Sequence, residues 1–320
     1  MASKYRASFA AAAAIILGLM ATPQVEAQSP SPRAAENKVI LIARQDPGTL
    51  DYVKSNLTAL RLWVPANVVE PLVYFDKDGN AAPGVAESWT ISDDKKIYTF
   101  KIRDTKFSNG APVTADDVVY SLNTMKGSPV VNNASAFEVV TAIEKVDDHT
   151  VKVTLSRPSQ AFWRGMGSVS GLVQPKAEAG SIATNPIGTG PYKLVRYTPN
   201  SALEFTRNDG YWGKAPALKD VTVRIVTDGT AGLNAMEAGE VDSVPVITID
   251  LWEQLGKREL DKKFALVTYP QVGEPTYAVL NQKLDPELRQ TIARTLDRQS
   301  FNDAFGAAWG ADNTCNFALP

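Results

Sequence analysis

Hydrophobic and polar residues alternate along several short stretches of the chain, a pattern that predicts half-buried β-strands. In IYTFKIR (97–103), apolar and polar side chains take turns from Tyr98 onward, so one face would meet a core and the other water. TVKVTL (150–155) alternates in the same way, and KVILIAR (38–44) is a denser run of aliphatic residues, typical of a more buried strand. The remaining strand candidates are YKLVRY, ALEFTR, VTVRIV and ALVTY.

Three helices are predicted by a capping residue that precedes apolar residues at three- and four-residue spacing. In PVTADDVVYSLNTM, Thr114 is placed as the cap and Asp117 falls at the third helical position. In TDGTAGLNAMEAGEVD, Thr227 or Asp228 would cap the helix and Gly239 would end it. A third helix is expected in DPELRQTIARTLDRQ, where Asp-Pro stands at the start.

These strands and helices follow one another irregularly, with hairpin turns such as KDGN between strands. The segment before KDGN is expected to be irregular, then helical with a break near Pro65, and then a short strand. The order predicts the α/β fold class, with mixed α+β sheets rather than a purely parallel or purely antiparallel one.

Residues 1–27 have the three parts of a secretory signal peptide. Lys4 and Arg6 precede the uncharged run ASFAAAAAIILGLMA, and VEA places a small residue just before Gln28. The alternative is a single-pass membrane anchor, but the run is short for a span of about 20 apolar residues. We therefore expect the signal peptide to be cleaved and the mature chain to be periplasmic.

Composition excludes several kinds of site. The formal net charge of −2 offers no clustered basic face, so nucleic acid is not an expected partner. The chain has one cysteine, Cys315, and one histidine, His149, which nearly excludes an internal disulfide, a His-rich metal site and the common catalytic triads. His149 stands in a polar turn and is expected to be solvated. Hydrophobic residues make up 44% of the chain, enough for a core without cross-links.

The stretch NPIGTGPYKLVRY could be a phosphate-binding loop or a rigid backbone corner. A phosphate loop requires glycines between a strand and a helix, whose N-terminus holds the anion. Gly188 and Gly190 are followed instead by Pro191, which lacks a backbone donor, and by a predicted strand. The sequence favours the rigid corner, and no cofactor is expected.

From Asn185 to Val244, the run NPIGTGPYKLVRYTPNSALEFTRNDGYWGKAPALKDVTVRIVTDGTAGLNAMEAGEVDSV resembles a family of large extracytoplasmic solute-binding proteins. These belong to ABC importers for oligopeptides, dipeptides and nickel (family 5). Upstream, VVEPLVYFDKDGNAAPGVAESWTISDDKKIYTFKIRDTKFSNGAPVTADDVVYSL resembles the family's other hallmark, and downstream LNQKLDPELRQTIARTLDRQSF resembles its second-lobe helix. The resemblance covers nearly the whole chain after the signal peptide, in the expected order.

The resemblance implies a two-lobe periplasmic binding protein of type II, with ligand enclosed between lobes joined by a hinge. Lobe I would comprise residues 28–68 and 182–268, and an extra subdomain would comprise 69–181. The second lobe would begin at 269 and stay incomplete, because the family's second lobe is long and the chain ends at 320. We therefore expect a C-terminally truncated member, in which the aromatics of DGYWGKAP pack a connection.

The resemblance also implies the function of an ABC-importer receptor, a monomer that is not an enzyme. It would capture a small, peptide-like solute by hinge closure and deliver it to permease subunits in the inner membrane. No catalytic residue and no metal ligand is expected. Trp63 and Trp163 are expected in the core. The expected ligand-binding residues are Asn56, Leu57, Thr58, Ser243, Val244, Tyr269 and Tyr277.

Two other functions remain open at this stage. The chain could be a remnant that no longer transports, or an interaction module. It could also be an exported hydrolase that uses a pair of carboxylates, for which the candidates are Glu70, Glu87, Asp116 and Asp117. Their spacing does not require catalysis, and Asp116 and Asp117 fit the first turn of a helix, where carboxylates complement the positive helix end.

Overall fold

The computed structural model describes residues 36–130, 134–245, 249–265 and 284–295. Within these ranges, three sheets and six α-helices form an α/β structure, which confirms the predicted fold class. The helices are α1 (Thr58–Trp63), α2 (Ala115–Lys126), α3 (Gln160–Gly165), α4 (Gly229–Glu237), α5 (Ile249–Lys257) and α6 (Pro286–Thr295).

The first sheet has four strands in the order β1-β10-β9-β8. Its strands are β1 (Lys38–Ala43), β8 (Tyr192–Thr198), β9 (Ala202–Arg207) and β10 (Asp220–Ile225). β1 runs parallel to β10, whereas β10, β9 and β8 form an antiparallel meander. On the free side of β1, Ser243 pairs with Leu41 in parallel, so the chain after α4 returns to the sheet beside its first strand.

The second four-stranded sheet is wholly antiparallel, in the order β4-β5-β7-β6. Its strands are β4 (Ala86–Ile91), β5 (Ile97–Ile102), β6 (Val140–Asp147) and β7 (Thr150–Leu155), and the short hairpin of β2 (Val73–Phe75) and β3 (Ala81–Pro83) precedes it. The alternation read in IYTFKIR is confirmed, since Tyr98, Phe100 and Ile102 are buried on one face.

The main core is continuous across the two large sheets. In it, Tyr98 lies 5.0 Å from Phe162 and 5.7 Å from Trp163, measured between ring centroids. Trp63 and Trp163 both pack against this core, as the sequence predicts. A separate small core is built by α4, α5 and the turn that follows them, from Leu233, Leu251, Leu255 and Leu260.

The predicted helix ends are confirmed in detail. The carboxylate of Asp117 accepts hydrogen bonds from the backbone N–H and the hydroxyl of Thr114, at 2.9 and 2.7 Å, so α2 begins with a capping box. Asp228 caps α4 through the N–H of Ala231, and Gly239 follows that helix with a φ of +70°. α6 begins at Pro286.

One prediction about a polar residue is wrong in part. His149 stands in the turn between β6 and β7, as expected, but it is not fully solvated. Its Nδ1 atom is buried and has no hydrogen-bond partner. Its backbone ties the turn together instead, because its N–H donates to Asp147 at 2.8 Å and its carbonyl accepts from Ile102 at 2.7 Å.

Candidate functional site

The carboxyl ends of parallel backbone segments meet at one edge of the first sheet. β1 and β10 end there side by side, and Val226 beyond β10 donates its N–H to the carbonyl of Ala43 at 2.9 Å. The segment at Ser243 ends at the same edge, because it pairs in parallel with β1. In open α/β sheets, ligands bind outside the carboxyl ends of the strands, so this edge is the candidate site that the fold itself indicates.

Ser243 and Val244 lie at this edge, but the Ser243 backbone and the Val244 side chain already contact other parts of the protein. The Ser243 carbonyl accepts the N–H of Ile42 at 3.1 Å, which holds the returning segment on β1. Val244 packs against the small core and lies near Gly232 of α4. Asp242, just before them, accepts the N–H of Ile40 at 2.8 Å.

Asn56, Leu57 and Thr58 lie where the long loop after β1 turns into α1, and all three are exposed. The Leu57 carbonyl accepts the N–H of Arg61 at 3.1 Å, and the Leu57 N–H donates to Ser55 at 3.4 Å. Both backbone groups of Leu57 are therefore in use, and its 40% exposed side chain is what it can offer to a ligand.

The structure does not join the two predicted segments. Among the residues that it describes, no hydrogen bond links the 56–58 segment to Ser243 or Val244. Tyr269 and Tyr277 lie outside the described residues. The predicted ligand-binding residues stay predictions.

Arg44 is a residue of this edge that the sequence analysis missed. It follows β1 directly, and its Nη2 atom donates to the carbonyl of Thr227, just beyond β10, at 3.3 Å. Its Nε and Nη1 atoms are buried and have no hydrogen-bond partner. A sequence shows only that an arginine follows a strand, whereas the state of its guanidinium depends on tertiary contacts.

The rigid corner at Gly188 and Gly190 lies across the segment before β2. The Gly190 N–H donates to the carbonyl of Val68 at 3.0 Å. A Cβ atom would stand 2.2 Å from the Val68 carbonyl oxygen at Gly188 and 2.4 Å from the Asn67 carbonyl oxygen at Gly190. These glycines are needed for close backbone packing, which confirms the interpretation of the motif as a corner.

Glu70 is completely buried beside this corner, and four donors surround its carboxylate. They are the hydroxyls of Tyr74, Thr189 and Tyr211 and the indole N–H of Trp212, at 2.8 to 2.9 Å. Burial, together with the charge of Glu70, raises the pKa of Tyr74 and Tyr211 above the usual range. Both hydroxyls therefore stay protonated and keep donating.

The four carboxylates considered for catalysis are accounted for by structure. The carboxylate oxygens of Glu70 accept hydrogen bonds from four donors. Asp117 belongs to the capping box of α2 and also accepts the N–H of Lys176 at 2.9 Å. Asp116 forms an ion pair with Lys145 at 2.6 Å, and Glu87 is exposed on β4. None of the four is paired with another as a hydrolase would require.

The described residues offer neither a metal site nor a membrane span. Those residues include no group of three or more histidine, cysteine, aspartate or glutamate side chains arranged to hold a metal ion. They also include no helix with the length and apolar character that a membrane span needs.

The family model described as bacterial extracellular solute-binding proteins, family 5 Middle, matches residues 80–318. The chain belongs to this family. This family 5 protein is 30% identical to the periplasmic oligopeptide-binding protein OppA of Escherichia coli, with 73% of its own length and 48% of OppA covered. It is 28% identical to the periplasmic murein peptide-binding protein MppA of the same organism, with 92% and 59% covered.

Solved structures agree with the sequence comparison. NikA of Brucella suis, in complex with Fe(III)-EDTA, is 29% identical and superposes with a TM-score of 0.61, which covers 69% of this chain and 46% of that chain. The resemblance and the binding-protein fold inferred from the sequence are thus confirmed. The family 5 protein spans about half the length of the curated relatives it matches.

Proposed function

We propose that this family 5 protein is the substrate-binding component of an ABC importer. In the periplasm it would capture a small, peptide-like solute by hinge closure and deliver it to the permease subunits in the inner membrane. The observation that carries this proposal is the family match over residues 80–318. The periplasmic OppA and MppA proteins, which it resembles, are named for the peptides they bind.

The division into lobes is part of the same proposal. Residues 28–68 and 182–268 would form lobe I, 69–181 the extra subdomain, and 269 onward would begin lobe II. The return of the chain to β1 at Ser243 supports this division, because it completes the first sheet on the side away from β10.

The solute would lie against the carboxyl edge of the first sheet. Ser243, Val244 and the 56–58 segment would contribute from lobe I, and Tyr269 and Tyr277 from the crossing to lobe II. The exposed Leu57 side chain offers apolar area of the kind that a peptide side chain would bury.

A peptide-capture experiment tests this proposal. Protein from the periplasm is stripped of ligand by unfolding and refolding, mixed with a tryptic digest of casein, and separated by gel filtration. Mass spectrometry of the protein fraction is expected to find a subset of peptides enriched over their level in the digest. If no peptide elutes with refolded protein that has regained its secondary structure, the peptide-like solute class is wrong.

A further inference from the structure

We propose that Arg44 is a binding position for a carboxylate group of the solute, so that the solute is an anion. This inference rests on the proposed function, since it names the chemistry that the capture site would recognise. It starts from the one charged side chain with buried donor atoms that lack a hydrogen-bond partner in the described part of the chain.

Arg44 is partly buried, and the two guanidinium nitrogens that lie away from water have no hydrogen-bond partner. A guanidinium stays protonated at any physiological pH, and its five N–H donors are costly to bury without acceptors. Glu70 shows how the same protein treats a buried charge, because four donors surround it. Arg44 has only the Thr227 carbonyl, at a long 3.3 Å, and its Nε and Nη1 atoms have no acceptor.

The acidic residues around this edge have other hydrogen-bond donors. Both carboxylate oxygens of Asp46 accept hydrogen bonds, from Gly48, Tyr197 and Asn200. Asp228 caps α4, and Asp242 accepts the N–H of Ile40. Arg44 forms no ion pair with a carboxylate of the described residues, so these residues supply no acceptor for its Nε and Nη1 atoms. An acceptor carried by a solute would satisfy them.

The position of Arg44 fits a role in binding. It stands at the carboxyl edge of β1 and β10, beside the returning segment at Ser243, where open α/β sheets bind ligands. Its Nε and Nη1 atoms are buried in this structure, so binding of a solute would require a movement that exposes them. In such a water-excluded place a charge-assisted hydrogen bond is strong.

The chemistry favours a carboxylate over a phosphate. The planar fork of a guanidinium matches the two oxygens of a carboxylate, and a single positive charge balances one negative charge. The ionisable residues next in sequence to Arg44 and Thr227 are Asp46 and Asp228, both acidic, and they would repel a doubly charged phosphate. A peptide's C-terminus and any other carboxylic acid share the chemistry required.

The first test compares one tripeptide, Ala-Leu-Ala, with its C-terminal amide, by isothermal titration calorimetry on ligand-free protein. Wild type is expected to bind the acid at least about tenfold more tightly than the amide, the effect of a hydrogen bond to a charged group. Arg44→Gln is expected to lose that preference while its affinity for the amide stays the same. Arg61→Gln, which removes an exposed arginine from α1, is the matched control and keeps the preference.

The role of Arg44 would be overturned if Arg44→Gln still preferred the acid over the amide. It would also be overturned if wild type bound both peptides with the same affinity. If neither peptide binds, the proposed peptide class fails, and a second measurement then decides on Arg44. The melting temperature is measured in 0.2 M sodium acetate and in 0.2 M sodium chloride, for wild type and both variants.

Acetate is expected to raise the melting temperature of wild type and Arg61→Gln by about 1 °C or more over chloride, through mass action on the folded state. The rise should be absent from Arg44→Gln. An equal response in all three proteins, or none in any of them, contradicts a carboxylate position at Arg44. If acetate raises the melting temperature only when Arg44 is present, and neither peptide binds, the carboxylate position at Arg44 stands and the peptide class of solute is wrong.

Discussion

The hydroxyl of Thr189 donates to the carboxylate of Glu70 at 2.8 Å, across 119 positions of the sequence. This bond joins the corner at Gly188–Gly190 to the segment that leads into β2. Trp212, whose indole N–H donates to the same carboxylate, lies under the guanidinium of Arg103, with 3.8 Å between Cζ and the ring centroid. Glu70 thus ties together three segments that are distant in sequence, its own, the corner at Thr189 and the aromatic pair Tyr211–Trp212.

Glu70→Gln is therefore expected to destabilise the fold strongly. The amide nitrogen would meet groups that are themselves donors, and the loss should be about 2–4 kcal/mol of unfolding free energy. Urea unfolding followed by circular dichroism measures it. Glu87→Gln, on the exposed side of β4, is the matched control and should change the midpoint little. Equal midpoints for the two variants would show that the buried network does not stabilise the fold.

Glycine substitutions separate close packing from backbone strain. Gly190→Ala places a Cβ atom 2.4 Å from the Asn67 carbonyl oxygen, so it should cost more than Gly48→Ala. Gly48 has a φ of +66° with nothing within 4 Å of an added Cβ, and its cost should be only the strain of about 1 kcal/mol. Gly256→Ala, in open space on α5, should stabilise by up to about 1 kcal/mol. A lower urea midpoint for Gly48→Ala than for Gly190→Ala, or a midpoint for Gly256→Ala below both, would contradict this account.

Asp46 should make stability depend on pH. Burial raises its pKa, but hydrogen bonds from Tyr197, Asn200 and Gly48 outweigh burial and hold the pKa below its usual value. A lowered pKa in the folded state contributes stability above the unfolded value of about 3.9, and that contribution is lost as the pH falls through the folded pKa. Wild type should thus exceed Asp46→Asn in stability at pH 6, and the difference should shrink below about pH 4. A difference that is constant from pH 6 to pH 2 would rule out this linkage.

The exposed leucine at the start of α1 should affect solute capture. Leu57→Asp places a charge where the proposal puts apolar contact, and it is expected to reduce the peptides retained from the casein digest several-fold at unchanged melting temperature. Val195→Asp, on a 60% exposed side chain of the edge strand β8, is the matched control and should retain as much as wild type. Equal retention by both variants would remove Leu57 from the site.

Local features of this fold could be predicted from the sequence, because they depend on neighbouring residues. The caps of α2 and α4 follow from Thr114 and Asp228, and the half-buried β5 follows from its alternation. The corner at Gly188 follows from the proline and the strand that come after it. These signals act over a few residues, which is why they can be read directly.

Features that depend on distant contacts could not be predicted. The donors to Glu70 come from positions 74, 189, 211 and 212, and no local pattern marks them as neighbours. The unpaired guanidinium of Arg44 and the buried Nδ1 of His149 also depend on tertiary packing.

Mass spectrometry of the protein recovered from the periplasm, once native and once denatured, tests the central claim most directly. A solute-binding protein should carry a small molecule that appears as a mass difference between the two spectra, and an Arg44-dependent solute would be an acid. The denatured mass also tests cleavage before Gln28. Identical masses in both spectra, from protein that also retains no peptide from the digest, would contradict the account of this chain as a receptor.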